Sequence, residues 1–158
     1  MQLNKQVFKL HQFFTSLNNT KLVLIFVFIN LVLSLLFSLL ANVISAKNLT
    51  DGFPQFGSIK KEIFLGVILA PLFETLVFQF GIIETVKKRL SPILSCLVSA
   101  LFFGATHLYN IQYFFFTFLV GVFLAWLYFI GGTKLRGFLL VLISHMIHNF
   151  LAFTFSHI

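Results

Sequence analysis

Long runs without a charged residue constrain the fold of this chain more than any other feature. Residues 22–46 carry no charge, and the 44 residues 90–133 contain no Asp, Glu, Lys or Arg. A third run, 63–83, holds one ionisable residue, Glu74. At about 1.5 Å per residue, roughly 20 apolar residues cross the ~30 Å hydrocarbon core of a bilayer. These runs therefore predict membrane-spanning helices.

The composition supports a membrane protein and excludes several soluble classes. Of the 158 residues, 59% are apolar and 9% are charged, and the mean hydropathy is +1.01. A soluble domain is usually about 45–50% apolar and about 25% charged. Cys96 is the only cysteine, so the sequence predicts no internal disulfide and no cysteine metal cluster. The length allows one domain.

Basic residues outnumber acidic ones, 11 to 4, which gives a formal net charge of +7. They lie between the apolar runs rather than in one patch, so they predict contact with anionic lipid headgroups and not with nucleic acid. The short connections on one side of the membrane would hold most of them: Lys5, Lys9, Lys21, Lys87, Lys88, Arg89, Lys134 and Arg136. The other side would hold Lys47, Lys60 and Lys61. This bias predicts a cytoplasmic N-terminus and an extracytoplasmic C-terminus.

The longest uncharged run would form a helix of about 66 Å, too long for one crossing, and its polar Tyr109–Gln112 segment predicts a break. We therefore expect an all-α, polytopic membrane helical bundle of about five transmembrane helices. Their predicted ranges are 22–46, 63–83, 91–108, 112–130 and 137–155, with a loop over 47–61. Residues 1–20 predict a short amphipathic helix on the membrane surface, and residues 21–158 the transmembrane bundle.

Several polar residues interrupt the predicted helices. A carboxylate in lipid is costly, so Glu74 is expected to face the bundle interior or a wet cavity. His107 ends the third predicted helix, and His145 and Asn149 share one face of the last helix because they are four residues apart. His148 lies about 100° around that helix from Asn149 and is expected to point elsewhere. An acid, imidazoles and an amide on three helices indicate a chemical site.

Three chemistries fit these residues. Glu74 and His107 could activate a water while His145 and Asn149 donate hydrogen bonds to an oxyanion, which is peptide hydrolysis. Glu74, His107 and His145 could instead bind zinc as a His₂Glu set. The same groups could relay protons or ions in a small transporter, although no inverted repeat supports that reading. Composition and spacing leave the three open.

Three short segments follow one another at fixed spacing on the predicted helices: Glu74–Gln79, Phe103–His107 and His145–Asn149. Their order resembles the CAAX-protease and bacteriocin-processing family of intramembrane proteases, also called the Abi or CPBP family. That family has the motifs Glu-Glu-x-x-x-Arg, Phe-x-x-x-His and His-x-x-x-Asn. The resemblance covers about residues 60–155.

The resemblance implies a glutamate-type intramembrane endopeptidase that cleaves a membrane-bound peptide or protein. In it, Glu74 and His107 would activate water, and His145 and Asn149 would hold the oxyanion. It implies no prosthetic group and no essential metal, and Phe103 would pack beside His107. The substrate and the oligomeric state are not predicted. A non-catalytic scaffold or immunity protein of the same fold is the alternative.

The first motif departs from the family pattern, because Thr75 replaces its second Glu and Gln79 replaces its Arg. These positions are i and i+4 on a helix, where Glu and Arg could pair. Since both replacements are neutral, no buried charge is left unpaired, and Thr75 and Gln79 can still form a hydrogen bond with each other, so the replacement need not abolish the site. The departure raises the prospect of a divergent or inactive member.

Counting residues from the basic clusters predicts a difference in height between two of these groups. His107 would lie about 27 Å above Arg89, but Glu74 only about 20 Å above Lys87. For the two groups to meet, the third helix must tilt strongly or begin deeper than Arg89 suggests. Close helix approach is expected at three glycines, which are Gly66, Gly104 and Gly121.

Overall fold

The protein is described by a computed structural model over residues 2–44 and 57–156. Within those ranges the chain forms six helices and no strand. They are α1 (Gln2–Thr15), α2 (Asn19–Ile44), α3 (Ile59–Val86), α4 (Pro92–Ala105), α5 (Ile111–Ile130) and α6 (Lys134–Ser156). The predicted all-α class is confirmed. Most of the predicted 47–61 loop lies outside the described residues, and Lys60 and Lys61 belong to α3.

In the described ranges, four helical segments are long and apolar enough to cross a bilayer: Asn19–Ala41, Ile59–Val86, Ile111–Ile130 and Lys134–Phe155. The predicted polytopic membrane bundle is confirmed. α4 is apolar but has only 14 residues, about 21 Å, which is shorter than the ~30 Å hydrocarbon core. The predicted helix over 91–108 was therefore too long, because the helix ends at Ala105 and the chain turns before α5 begins.

Side-chain caps fix where helices α2 to α6 begin. The first N–H groups of a helix have no partner inside it, and Ser, Thr and Asn side chains accept hydrogen bonds from them. The capping residues are Asn18 for α2, Ser58 for α3, Ser91 for α4, Asn110 for α5 and Thr133 for α6. The Asn110 cap matters most for the site, because it fixes the chain just after His107.

α3 departs from uniform α-helical geometry. Two π-helical stretches, Ile63–Leu69 and Thr75–Ile82, flank a single α-helical turn, Ala70–Glu74. Pro71 lies in that turn and is buried. Because π-helical turns are rare and are frequent at functional sites, the irregular geometry on both sides of Glu74 marks this part of α3 as a candidate site.

α4 packs closely on α5 through two glycines. A Cβ added to Gly121 would lie 2.9 Å from Cδ1 of Phe103, and one added to Gly104 would lie 3.2 Å from the Cα of Phe118. A side chain at Gly121 would force a neighbouring atom to move, and one at Gly104 would be in tighter contact than usual, so the expected close approach is confirmed at both positions. It was wrong at Gly66, where no atom lies within 4 Å of an added Cβ.

The end of the bundle near Glu84 is held by a polar cluster. The carboxylate of Glu84 accepts a hydrogen bond of 2.7 Å from the hydroxyl of Tyr128 and pairs with Lys87 and, at 3.0 Å, with Lys134. These contacts tie α3, α5 and α6 together. They place the basic residues that follow α3 and those that begin α6 at the same end of the molecule.

The predicted N-terminal surface segment forms α1. Phe14, near its end, is 8% exposed, and its ring lies 5.7 Å from the ring of Phe26 and 5.0 Å from that of Trp126. Leu10 is exposed. α1 is therefore anchored on α2 and α5 at its C-terminal end.

Candidate active site

Glu74 lies between two imidazole rings that come from different parts of the chain. Its Oε1 is 4.0 Å from Nε2 of His107, and its Oε2 is 3.5 Å from Nε2 of His145. The three side chains are 23%, 14% and 5% exposed, respectively. The structure thus brings together the acid and the two imidazoles that the sequence singled out. A separation of 4.0 Å is too long for a direct hydrogen bond and has room for a bridging water.

The register of α4 on α3 explains why these groups meet. The hydroxyl of Ser99 donates a hydrogen bond of 3.0 Å to the carbonyl of Phe78. The helices run antiparallel, so moving along α4 toward His107 corresponds to moving back along α3 toward Glu74. In addition, α4 begins only at Pro92, so counting from Arg89 overestimates the height of His107.

The hydrogen bonds of His107 indicate which of its nitrogens is basic. Nδ1 lies 3.1 Å from the carbonyl oxygen of Phe103. Because a carbonyl oxygen can only accept, Nδ1 carries the hydrogen, and Nε2 presents a lone pair toward Glu74. Burial lowers the pKa of His107, while its hydrogen bond to the Phe103 carbonyl acts in the opposite direction. The ring is therefore a neutral acceptor beside the carboxylate.

The ring of Phe103 packs against both imidazoles. Its ring centroid lies 5.4 Å from that of His107 and 5.8 Å from that of His145, in edge-on geometry. It is also 2% exposed. The sequence predicted contact with His107 alone, but the structure shows that one aromatic ring limits the movement of both rings.

Asn149 occupies the turn of α6 that follows His145. Its Nδ2 donates a hydrogen bond of 2.9 Å to the carbonyl oxygen of Gly66 in α3. An amide nitrogen carries two hydrogens, so one N–H is used to hold α6 against α3. The second N–H is the one that could reach a ligand beside His145.

Thr75 and Gln79, the two departures from the family pattern, lie inside the bundle. Both are 0% exposed. In the described part of the structure, the hydroxyl of Thr75 and both amide atoms of Gln79 have no hydrogen-bond partner. The hydrogen bond that their spacing allows is therefore not formed, and both polar side chains are buried without a partner among the described residues.

His148, which the sequence expected to point elsewhere than Asn149, is buried in the bundle. Its ring centroid lies 6.5 Å from that of Phe116 on α5. Its Nδ1 is buried and has no partner among the described residues. His148 therefore takes part in the contact between α5 and α6.

Residues around His107 that the sequence did not single out complete the pocket. The ring of Tyr113 lies 5.1 Å from that of His107, and the ring of Tyr109 lies 6.1 Å away. Burial raises the pKa of Tyr109 to about 12, so its hydroxyl stays protonated near neutral pH. Thr106 donates to the carbonyl of Phe103 and lies 3.0 Å from Nδ1 of His107. The available signal was three hydroxyl residues within six positions of His107, in and beside the polar Tyr109–Gln112 segment.

The sequence left open that Glu74, His107 and His145 bind zinc. Within residues 2–44 and 57–156, no group of three His, Cys, Asp or Glu side chains is arranged to hold a metal ion. Glu74 instead presents one carboxylate oxygen to each ring. That geometry suits proton exchange among three side chains.

The carboxyl group of Glu74 thus lies beside two imidazoles within an apolar helical bundle. Residues 58–151, more than half of the chain, match the family described as Type II CAAX prenyl endopeptidase Rce1-like. The chain belongs to this family, which confirms the resemblance found in the motifs. It is an integral membrane protein of a protease family. No curated protein and no solved structure gives a significant match.

Replacing Gln79 with Met tests whether its amide is truly unpaired. A buried amide without hydrogen bonds costs about 1–3 kcal/mol, and Met has a similar volume. We therefore expect Gln79→Met to raise the melting temperature in detergent by a few degrees. The control is Gln112→Met at the start of α5, which lies in a partly exposed position. A clear loss of stability in Gln79→Met alone would show that the amide has a partner, such as ordered water.

Proposed function

We propose that the protein is an intramembrane endopeptidase that hydrolyses a peptide bond of a membrane-associated peptide or protein. The observation that carries this proposal is Glu74, whose two oxygens each face a separate imidazole. Membership of a prenyl-endopeptidase family supports hydrolysis as the reaction. The partners would be the lipid bilayer and the substrate, with no nucleic acid and no prosthetic group.

The gap between Glu74 and His107 would hold the attacking water. Oε1 of the ionised carboxylate and Nε2 of neutral His107 are both acceptors, so one water can donate one hydrogen to each. This directs the oxygen lone pairs of the water away from both groups and toward a substrate carbonyl. Glu74 then accepts a proton as the water attacks, which is general-base catalysis with His107 as the orienting partner.

The other imidazole would act on the opposite side of the reacting carbon. In the structure, Nε2 of His145 faces Oε2 of Glu74 at 3.5 Å. As Glu74 takes up the proton and loses its charge, Nε2–H of His145 would turn to the oxyanion and donate a hydrogen bond to it, together with the second amide N–H of Asn149. The carbon–nitrogen bond then breaks, and Glu74 returns its proton to the departing amine. The products are a carboxylic acid, which keeps the second hydrogen of the water, and a free amine, so Glu74 is again ionised at the end of the cycle.

Glu74→Gln tests the general base. Gln keeps the shape of Glu but cannot accept the proton, so we expect kcat on a membrane-associated peptide to fall by about 10²–10⁴-fold. The matched control is Glu84→Gln, which removes the carboxylate of α3 that binds Tyr128 and Lys134. This change should lower stability more than turnover. Full turnover by Glu74→Gln in purified, reconstituted protein would rule out this mechanism.

A non-catalytic role is the second candidate, and one observation favours it. The family's acid–Arg pair is replaced by Thr75 and Gln79, and neither has a hydrogen-bond partner in the described structure. A scaffold or immunity protein would keep its cellular phenotype in Glu74→Gln and in His107→Ala. Loss of the phenotype in both variants, at normal protein levels, would exclude that role and support catalysis.

We also propose that hydrolysis needs no metal ion. In the mechanism above, a proton passes from water to Glu74 and from Glu74 to the departing amine, and no step needs a metal ion. Turnover should therefore persist, within about twofold, after dialysis against EDTA and 1,10-phenanthroline. Loss of activity that returns on addition of Zn²⁺ would instead assign Glu74, His107 and His145 as ligands.

We propose that the Glu84 end of the bundle faces the cytoplasm, with the N-terminus inside. Basic residues that follow α3 and begin α6 lie at this end, and such clusters favour the cytoplasmic side. In a Cys96→Ser background, Lys88→Cys should react with an impermeant maleimide only after cells are permeabilised. Lys60→Cys, which removes one lysine at the other end, should react in intact cells. The reverse pattern would invert the orientation.

A further inference from the structure

The carbonyl of Gly66 is bonded in an unusual way for a helix. In a regular α-helix, the N–H four residues later, here that of Ala70, would donate to it. Instead, the N–H of Ala70 donates to the carbonyl of Leu65, five residues back. The carbonyl of Gly66 accepts its hydrogen bond from the side chain of Asn149, on a different helix.

Pro71 explains why that carbonyl is open. Ala70 follows the π-helical pattern, in which each N–H donates to the carbonyl five residues earlier. In this pattern, the donor to the carbonyl of Gly66 would be the N–H of residue 71. Proline has no backbone N–H, so neither the α-helical nor the π-helical donor serves this carbonyl. An unpaired carbonyl within the membrane would cost several kcal/mol, which favours a partner from a neighbouring helix.

We infer that Pro71 is a positioning residue for Asn149. Because Pro71 has no backbone N–H, no π-helical donor competes with the Asn149 amide for the carbonyl of Gly66. That bond fixes the rotation of the amide and leaves its second N–H directed away from α3. The structural part stands on the geometry alone, whereas its consequence for catalysis rests on the proposed function.

The local surroundings agree with this assignment. A Cβ added to Gly66 would meet no atom within 4 Å, so Asn149 reaches α3 at the carbonyl of Gly66 through its hydrogen bond and not by close packing against the Cα. Asn149 itself is partly buried. The carbonyl, the proline and the amide thus form one unit that links α3 to α6 eight residues before Glu74.

The direct test is the Asn149 side-chain signal in ¹⁵N-asparagine-labelled protein in micelles, assigned by its loss in Asn149→Ala. We expect Pro71→Ala and Pro71→Val, which both restore an N–H, to shift this signal toward that of a free amide. Pro71→Val also nearly refills the volume of the ring, so it separates the effect of the N–H from that of a cavity. Pro92→Ala is the matched control, because Pro92 begins α4, where an added N–H replaces no ladder bond. An unchanged signal in both Pro71 variants would overturn the inference.

Melting temperatures test whether Pro71 and Asn149 stabilise the protein together. Asn149→Ala should lower the melting temperature by about 2–4 °C in the natural and the Pro92→Ala backgrounds. In the Pro71→Ala background, the same change should lower it by less than half as much. An equal loss in all three backgrounds would contradict a role for Pro71.

Turnover links this unit to the proposed function. If Pro71 positions Asn149 and the protein is a peptidase, Pro71→Ala should lower kcat at least threefold with little change in KM. The Asn149 amide would be misaligned with the oxyanion, while substrate binding would be kept. A wild-type protein without turnover would refute the proposed function and leave the spectroscopic and melting results to decide the inference. Normal kcat in Pro71→Ala, with the Asn149 signal shifted, would refute the catalytic consequence alone.

Discussion

The enclosure of one carboxyl group inside an apolar bundle is the constraint on which the rest of the structure depends. Glu74 cannot face lipid without a large cost, so other helices must bring polar groups to it. His107 and His145 do so, one to each carboxylate oxygen. The tight α4–α5 contact at Gly121 follows from this need, because it presses Phe103 between the two imidazoles.

Much of this arrangement could be predicted because it depends on local sequence. Uncharged runs of sufficient length predict membrane helices, and their limits place the start of each helix within about four residues of the observed one. The acid and both imidazoles stood out because ionisable side chains are rare in such runs. Their convergence could also be expected, since Glu74 and His145 have no favourable alternative in lipid.

The geometry of α3 could not be predicted in the same way. An apolar stretch such as Ile63–Leu69 has the same composition whether it is α-helical or π-helical, and the choice is decided by tertiary partners. The bond between Asn149 and the Gly66 carbonyl is such a partner, formed across 83 positions of the chain. The early end of α4 escaped prediction for a related reason, because Thr106 and His107 bond back to the Phe103 carbonyl and close the helix with a turn.

The divergent first motif bears on the reaction less directly than its position suggests. Thr75 and Gln79 are fully buried, whereas the atoms around the Glu74 carboxylate come from the turn after α4 and from α6. A neutral pair at these positions therefore leaves the acid and both imidazoles in place. What it removes is a charge pair that would cost free energy to desolvate.

Unpaired polar atoms elsewhere in the bundle extend that reasoning. Asn30 and Ser144 are 0% exposed, and their side-chain polar atoms have no partner among the described residues. In lipid, association of helices draws on close packing more than on polar contacts, and interhelical hydrogen bonds average only about 0.6 kcal/mol in measured cases. The bundle is thus held mainly by its apolar contacts and glycine approaches. Its few well-made interhelical hydrogen bonds, such as Ser99 to Phe78 and Asn149 to Gly66, lie on α3 on both sides of Glu74 and serve to place the acid.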